Sequence, residues 1–213
     1  MPWLGLLLEG AAVTAAVSIA SIALGVPLGL LLALIRWRRV PVLSPMVAAY
    51  VSLIRATPAI TLALLIFFAL PSLGVVLNPA TAAVLTLTVN TSAFNCEIWR
   101  AALIDFPRDQ LDAARAYGIG PRLAFHRIVF PQVWRTSLPA LVNEMTLLIK
   151  ASPALAVIGI VDLTRAASRI GAATYEPLPP FAVATMLYVA LVLVFVGLQR
   201  AVERHLYRKS MAG

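Results

Sequence analysis

The sequence has little of what a solvated surface or an enzyme centre requires. Only 12% of its 213 residues are charged, against 61% hydrophobic, too few to coat a soluble domain. The single cysteine, Cys96, excludes an internal disulfide and a CxxC metal site, and its apolar surroundings make it a small packing residue. His126 has no His, Cys or carboxylate at ligand spacing and His205 lies in a basic tail, so no metal site is expected. The chain lacks a G-x-x-x-x-G-K-[ST] phosphate loop, and its apolar runs lack paired carboxylates or a Ser/His pair at useful spacing. It is therefore not read as an enzyme, and it binds no cofactor of its own. The net charge of +8 does not imply nucleic acid, because the basic residues flank apolar segments instead of interleaving with aromatics.

What remains is apolar length. Hydropathy marks spans near 10–35, 46–70, 79–101, 136–158 and 179–200, each close to the roughly 20 residues that cross a bilayer. The expectation is an all-α polytopic membrane protein, a single domain over 1–213 with five transmembrane helices. The segment Met1–Gly10 has no basic leader and runs straight into the first apolar stretch, so it is expected to stay as part of a span.

Basic residues set the orientation, since cytoplasmic flanks retain Lys and Arg. Thirteen of the 17 Lys and Arg fall on one side: Arg36, Arg38 and Arg39, the arginines of 100–135, and the group Arg200, Arg204, Arg208 and Lys209. The other side has Arg165 and Arg169. This predicts an external N-terminus, a cytoplasmic C-terminus and a cytoplasmic loop over 102–135.

That loop reads as two short amphipathic helices. Pro107 suits a first turn, Gly118 suits a left-handed stop, Pro121 starts the second helix and Pro131 closes the unit.

The loop resembles that of the permease subunits of bacterial ABC importers, whose pattern is EAA, a glycine after three residues, and I-x-L-P some nine residues on. Asp112, Ala113, Ala114, Gly118, Ile128 and Pro131 occupy matching positions, with Asp112 for glutamate and Phe130 for leucine. Three further stretches are similar to the polar amino acid uptake subfamily of histidine and glutamine permeases: Arg55-Ala56-Thr57-Pro58, Glu97-Ile98-Trp99-Arg100-Ala101-Ala102-Leu103, and Leu138-Pro139-Ala140-Leu141-Val142-Asn143-Glu144. Val157-Ile158-Gly159 and Asp162-Leu163-Thr164-Arg165 are similar to its fourth-span exit.

The resemblance implies the transmembrane subunit of an ATP-driven, binding-protein-dependent importer of polar amino acids in the bacterial cytoplasmic (inner) membrane. It implies as partners ABC ATPase subunits carrying ATP and Mg, a second permease subunit (identical or related), an extracytoplasmic solute-binding protein and the lipid bilayer. Asp112, Ala113, Ala114, Arg115, Gly118, Ile128 and Pro131 would then couple the chain to the ATPase, although Asp112 and Arg115 equally suit a solvated pair on one helix face.

Ionisable groups inside spans are costly unless paired or wetted, which makes Arg55, Glu144 and Lys150 candidates for the substrate pathway, with a structural ion pair or snorkelling as the plainer reading. Asn143, Thr146 and Lys150 share a helical stripe, whereas Glu144 and Lys150 point about 120° apart. Asn90 adds hydrogen-bonding capacity at mid-span, where helix packing is the commoner use. Glu144 leans toward a cationic amino acid. Arg55 and Glu144 are expected at similar depth and therefore to pair, within one chain or across a permease dimer. A secondary transporter or channel is the alternative, but it leaves the double-helix loop unexplained.

Overall fold

In the computed structural model the backbone is described for residues 3–211, and side chains for those residues except 199 and 202–211. Met1 and Gly213, to which the orientation was assigned, lie outside the described residues, as do the side chains of Arg204, His205, Arg208 and Lys209. The regular structure of the described residues is all helical, with no strand.

Helix α1 runs Leu4–Trp37, α2 Leu43–Ala56, α3 Ala59–Ala69, α4 Pro79–Ile104 and α5 Arg108–Ala116. A short α6, Pro121–Ala124, leads into α7, Phe130–Ala151, followed by α8, Leu163–Thr174, and α9, Leu178–Met211. Local chemistry sets several of these ends. Pro79 opens α4 while the Asn78 side chain accepts the Thr81 N–H at 2.8 Å. Asp162 does the same for α8, accepting from the N–H groups of Arg165 at 3.0 Å and Thr164 at 3.3 Å.

The centre of the bundle is α1 against α4, and the approach is close because α1 presents no side chain there. A Cβ on Gly29 would lie 2.7 Å from the Asn95 Cβ and 3.0 Å from the Cys96 nitrogen, and one on Gly25 would collide with the Thr91 methyl. Ser18, Ser21, Gly25, Gly29 and Ala33 continue this small-residue face, all buried. In a membrane, helices associate by van der Waals packing more than by expulsion of water, and small residues allow that packing. The polar residues of α4 turn into the contact: Thr86, Thr91, Ser92 and Asn95 are fully buried. The Ser21 hydroxyl donates to the Val84 carbonyl at 3.2 Å and the Trp99 indole N–H to the Val26 carbonyl at 3.3 Å.

Around this pair, one apolar cluster joins Val51 and Ile54 of α2 to Trp99 of α4 and Leu141 of α7. A second joins Val17, Ala63, Leu87 and Leu148, and a third packs Leu7 against Leu163, Ala167 and Ala184. Trp99 stacks on Trp134 with centroids 5.6 Å apart.

Three helical stretches are long and apolar enough to cross a membrane: Leu4–Trp37, Pro121–Ile158 and Leu178–Leu198. A fourth is added if α2 and α3 count as one bent span. The predicted span 46–70 is thus not one straight helix but two, meeting at 111°. Pro58 lacks an N–H and drives the preceding residue out of helical geometry, so Thr57 is extended at φ −92° and ψ 127°. The Thr57 hydroxyl then donates to the Leu53 carbonyl at 2.8 Å. The predicted span 79–101 corresponds to α4, whose polar residues Thr86, Thr91, Ser92 and Asn95 are buried inside the bundle.

Pro131 was expected to close the loop but does not. The helix widens at Phe125–Val129, where the Phe130 N–H donates to the Phe125 carbonyl five residues back, and runs on through Pro131. A wider turn relaxes the clash between a proline ring and the carbonyl four residues earlier.

The α1–α4 contact yields a test. Gly29→Leu should overpack the interface at about 1–3 kcal/mol and lower the thermal midpoint of the purified protein in detergent. Gly5→Leu, where a Cβ would meet nothing within 4 Å, should leave the midpoint unchanged.

Candidate translocation face and coupling loop

In the loop, Tyr117 and Gly118 end α5. Gly118 has φ +72°, a left-handed value that suits glycine, and the Ile119 N–H reaches back to the Ala114 carbonyl at 2.9 Å. The turn divides the expected coupling residues. Asp112, Ala113, Arg115 and Gly118 are exposed, Ala114 is buried, and Ile128 and Pro131 are half-buried. Asp112 and Arg115 form a 3.0 Å ion pair with side chains 66% and 77% exposed, so it contributes little stability by itself. Tyr117, 86% exposed, and Leu123, 54% exposed, stand on the same loop. The sequence reading placed Leu123 only among the apolar residues of the second loop helix and missed Tyr117, for which a large apolar residue next to a glycine stop was the available signal.

The loop is fastened to the bundle. The Gln132 amide donates to the Gln110 side chain at 2.7 Å and to the Ile128 carbonyl at 3.1 Å, tying α5 to α7. Because Pro121–Ile158 is one continuous helical stretch, the loop connects without a break to the α7 face that carries Glu144.

Along α7, Thr136, Ala140, Asn143, Leu147 and Lys150 form an exposed stripe. Thr146, expected on the same stripe as Asn143 and Lys150, is instead buried, its hydroxyl donating to the Asn143 carbonyl at 2.7 Å. Glu144 is only 8% exposed and has no hydrogen bond or ion pair among the described residues. Arg55, on α2, is exposed, with its guanidinium 5.2 Å from the Phe94 ring centroid, a cation–π contact. It makes no ion pair with Glu144. Asn90 is half-buried on α4, and Lys150 makes no ion pair among the described residues.

A charge cluster that the sequence reading did not foresee joins α1 to α4 near the loop. Glu97 pairs with Arg36 of α1 and, at 2.7 Å, with Arg100 of its own helix. The i,i+3 spacing of Glu97 and Arg100 was visible, but Arg36 lies 61 residues away in sequence and only the α1–α4 packing brings it in. No group of His, Cys, Asp and Glu able to hold a metal ion occurs among the described residues.

The cluster predicts a coupling energy. With side chains 20–30% exposed, Glu97→Gln should cost about 1–2 kcal/mol, because Arg36 and Arg100 then face each other unneutralised. Arg36→Gln in the same background should recover part of that loss. A double-mutant cycle on thermal stability reads it, and strictly additive effects would show that the pair is uncoupled.

Residues 25–208 match the family described as "Binding-protein-dependent transport system inner membrane component". The chain is 34% identical to the arginine transport system permease protein ArtQ of Bacillus subtilis, with 97% of this chain and 94% of that protein covered. It is 30% identical to the histidine/lysine/arginine/ornithine transport system permease protein HisQ of Salmonella typhimurium, at 94% and 92% coverage. Among solved structures it resembles an amino acid ABC transporter crystallised with histidines, at a TM-score of 0.87, 31% identity and coverage of 96% and 95%. The fold is also that of the MetNI methionine ABC transporter, at a TM-score of 0.78 and 22% identity.

Proposed function

Since the chain belongs to the binding-protein-dependent transport system inner membrane components, we propose that it is the transmembrane subunit of an ATP-driven importer of polar amino acids, basic ones foremost. Membership of that family sets aside the channel and secondary-transporter alternative. The observation that carries the reading is the unbroken helical path from the exposed loop at Gly118–Pro121 to the nearly buried, unpaired Glu144. A carboxylate held that deep without a partner suits a cationic ligand, and the names of two relatives point the same way.

In this reading five segments cross the bacterial inner membrane: α1, the bent α2–α3, α4, α7 and α9. The N-terminus is external and the C-terminus cytoplasmic. The exposed α7 stripe with Asn143 and Lys150 faces a second permease subunit across the path, to which Arg55 and Asn90 contribute. An external binding protein delivers the amino acid. ATP and Mg stay on separate ATPase subunits, and this chain supplies no catalytic group. Asp112, Ala113, Ala114, Arg115 and Gly118 meet the ATPase together with Tyr117, while Ile128 and Pro131 hold the loop against the bundle. Closure of the ATPase pair then tilts α7 as a lever.

Reconstitution with the cognate ATPase and binding protein tests this. Labelled arginine should enter vesicles only with ATP, and Glu144→Gln should lower that uptake at least tenfold without loss of assembly. Arginine uptake that persists without the ATPase, or that Glu144→Gln leaves untouched, would contradict the reading. Gly118→Val places a β-branched side chain at φ +72° and should abolish uptake while the chain still inserts. Unimpaired uptake by that variant would dissociate the turn from coupling. A reporter fused after Gly213 and active only outside the cell should stay silent, and activity there would reverse the orientation.

A further inference from the structure

A cavity of about 1160 Å³ lies away from the α7 face, where the ends of α1 and α4 meet the starts of α2 and α5. Five arginines line it, Arg36, Arg39, Arg100, Arg108 and Arg115, and Asp112 is the lone acid on its wall. Glu97 holds Arg36 and Arg100, and Asp112 holds Arg115, which leaves Arg39 and Arg108 without an ion pair among the described residues. Apart from Ser44, the rest of the wall is apolar, with Trp37, Ala48, Leu103 and Leu111 among its residues.

Arg39 is held there at a conformational cost. It closes α1 with φ +52°, and the Val40 N–H bonds the Ile35 carbonyl at 3.2 Å, the arrangement in which glycine is the usual residue. Glycine would close the helix with less strain, but it would remove the guanidinium from the cavity.

From this combination we propose that the cavity binds the phosphate headgroup of an anionic phospholipid, with the start of its acyl chains against the apolar part of the wall at Trp37, Leu103 and Leu111. The guanidinium groups supply forked donors to phosphate oxygens, and basic pockets between helices at a membrane surface suit such headgroups. A free phosphate would use the arginines but not the apolar wall. The inference takes from the proposed function only that this end of the bundle sits at a bilayer surface.

The test uses the complete transporter complex in detergent, offered equal amounts of phosphatidylglycerol and phosphatidylcholine with identical chains, with retained lipid read by native mass spectrometry. Phosphatidylglycerol should be retained in preference. Arg39→Gln with Arg108→Gln should lower that preference roughly 25-fold, and Ala48→Phe should lower phosphatidylglycerol retention by filling the floor without touching a charge. Should the double variant fail to assemble, Arg39→Gly, which suits the backbone, should still lower the preference about fivefold. Inorganic phosphate in large excess should leave the lipid bound, and its displacement would identify a free-anion site and overturn the proposal. No preference in the unaltered complex, or a preference that none of the variants changes, would also overturn it. Because retention needs neither ATP nor substrate, failure here leaves the transport reading standing, and failure of uptake leaves this one standing.

Discussion

The close approach of α1 and α4 is the constraint on which the rest of the structure depends. Gly25 and Gly29 leave no room for a Cβ, so the α4 backbone rests directly on α1. Contact at that distance buries Thr86, Thr91, Ser92 and Asn95 within protein, where they cost least. It also brings Arg36 to Glu97 across 61 residues of sequence. The other helices build outward. The Tyr50 hydroxyl donates to the Val89 carbonyl at 3.0 Å to seat α2 on α4, and the Leu163 N–H donates to the Thr14 hydroxyl at 3.2 Å to seat the start of α8 on α1.

How much of this could be read beforehand depended on whether the cause was local. The first and last spans are apolar all round and were legible from hydropathy alone. The Gly118 stop was legible because glycine in a loop between amphipathic segments has few other uses, and its φ of +72° matches. The break at Pro58 was equally local, but Thr57-Pro58 was read as part of a motif and its effect on helix direction was passed over. Pro131 failed the other way: the expectation of a stop ignored that a wide turn at Phe125–Val129 carries the helix past a proline.

What the sequence could not disclose is where distant side chains meet. Glu97 stood in a motif where Arg100 was its one visible partner and Arg36 was not, and Arg55 and Glu144, matched by depth along their helices, make no ion pair within the chain. The separation of Thr146 from Asn143 and Lys150 shows the same limit. Helical periodicity assigned them one stripe, but the width of the buried face of α7 is decided by its neighbours.

The proposed function makes the tightly packed α1 and α4 the fixed frame, and assigns to the loop and α7 the displacement from the exposed Tyr117–Gly118 end toward Glu144. Spin labels on cysteines introduced at Leu24 of α1 and Leu85 of α4, both exposed, read the frame, and a pair at Tyr117 and Leu85 reads the lever. Buried Cys96 does not compete for label. Measured by pulsed electron resonance in the full complex with and without ATP, the first distance should hold to within about 2 Å while the second shifts by more. A shift between Leu24 and Leu85 as large as that at Tyr117 would contradict the fixed frame.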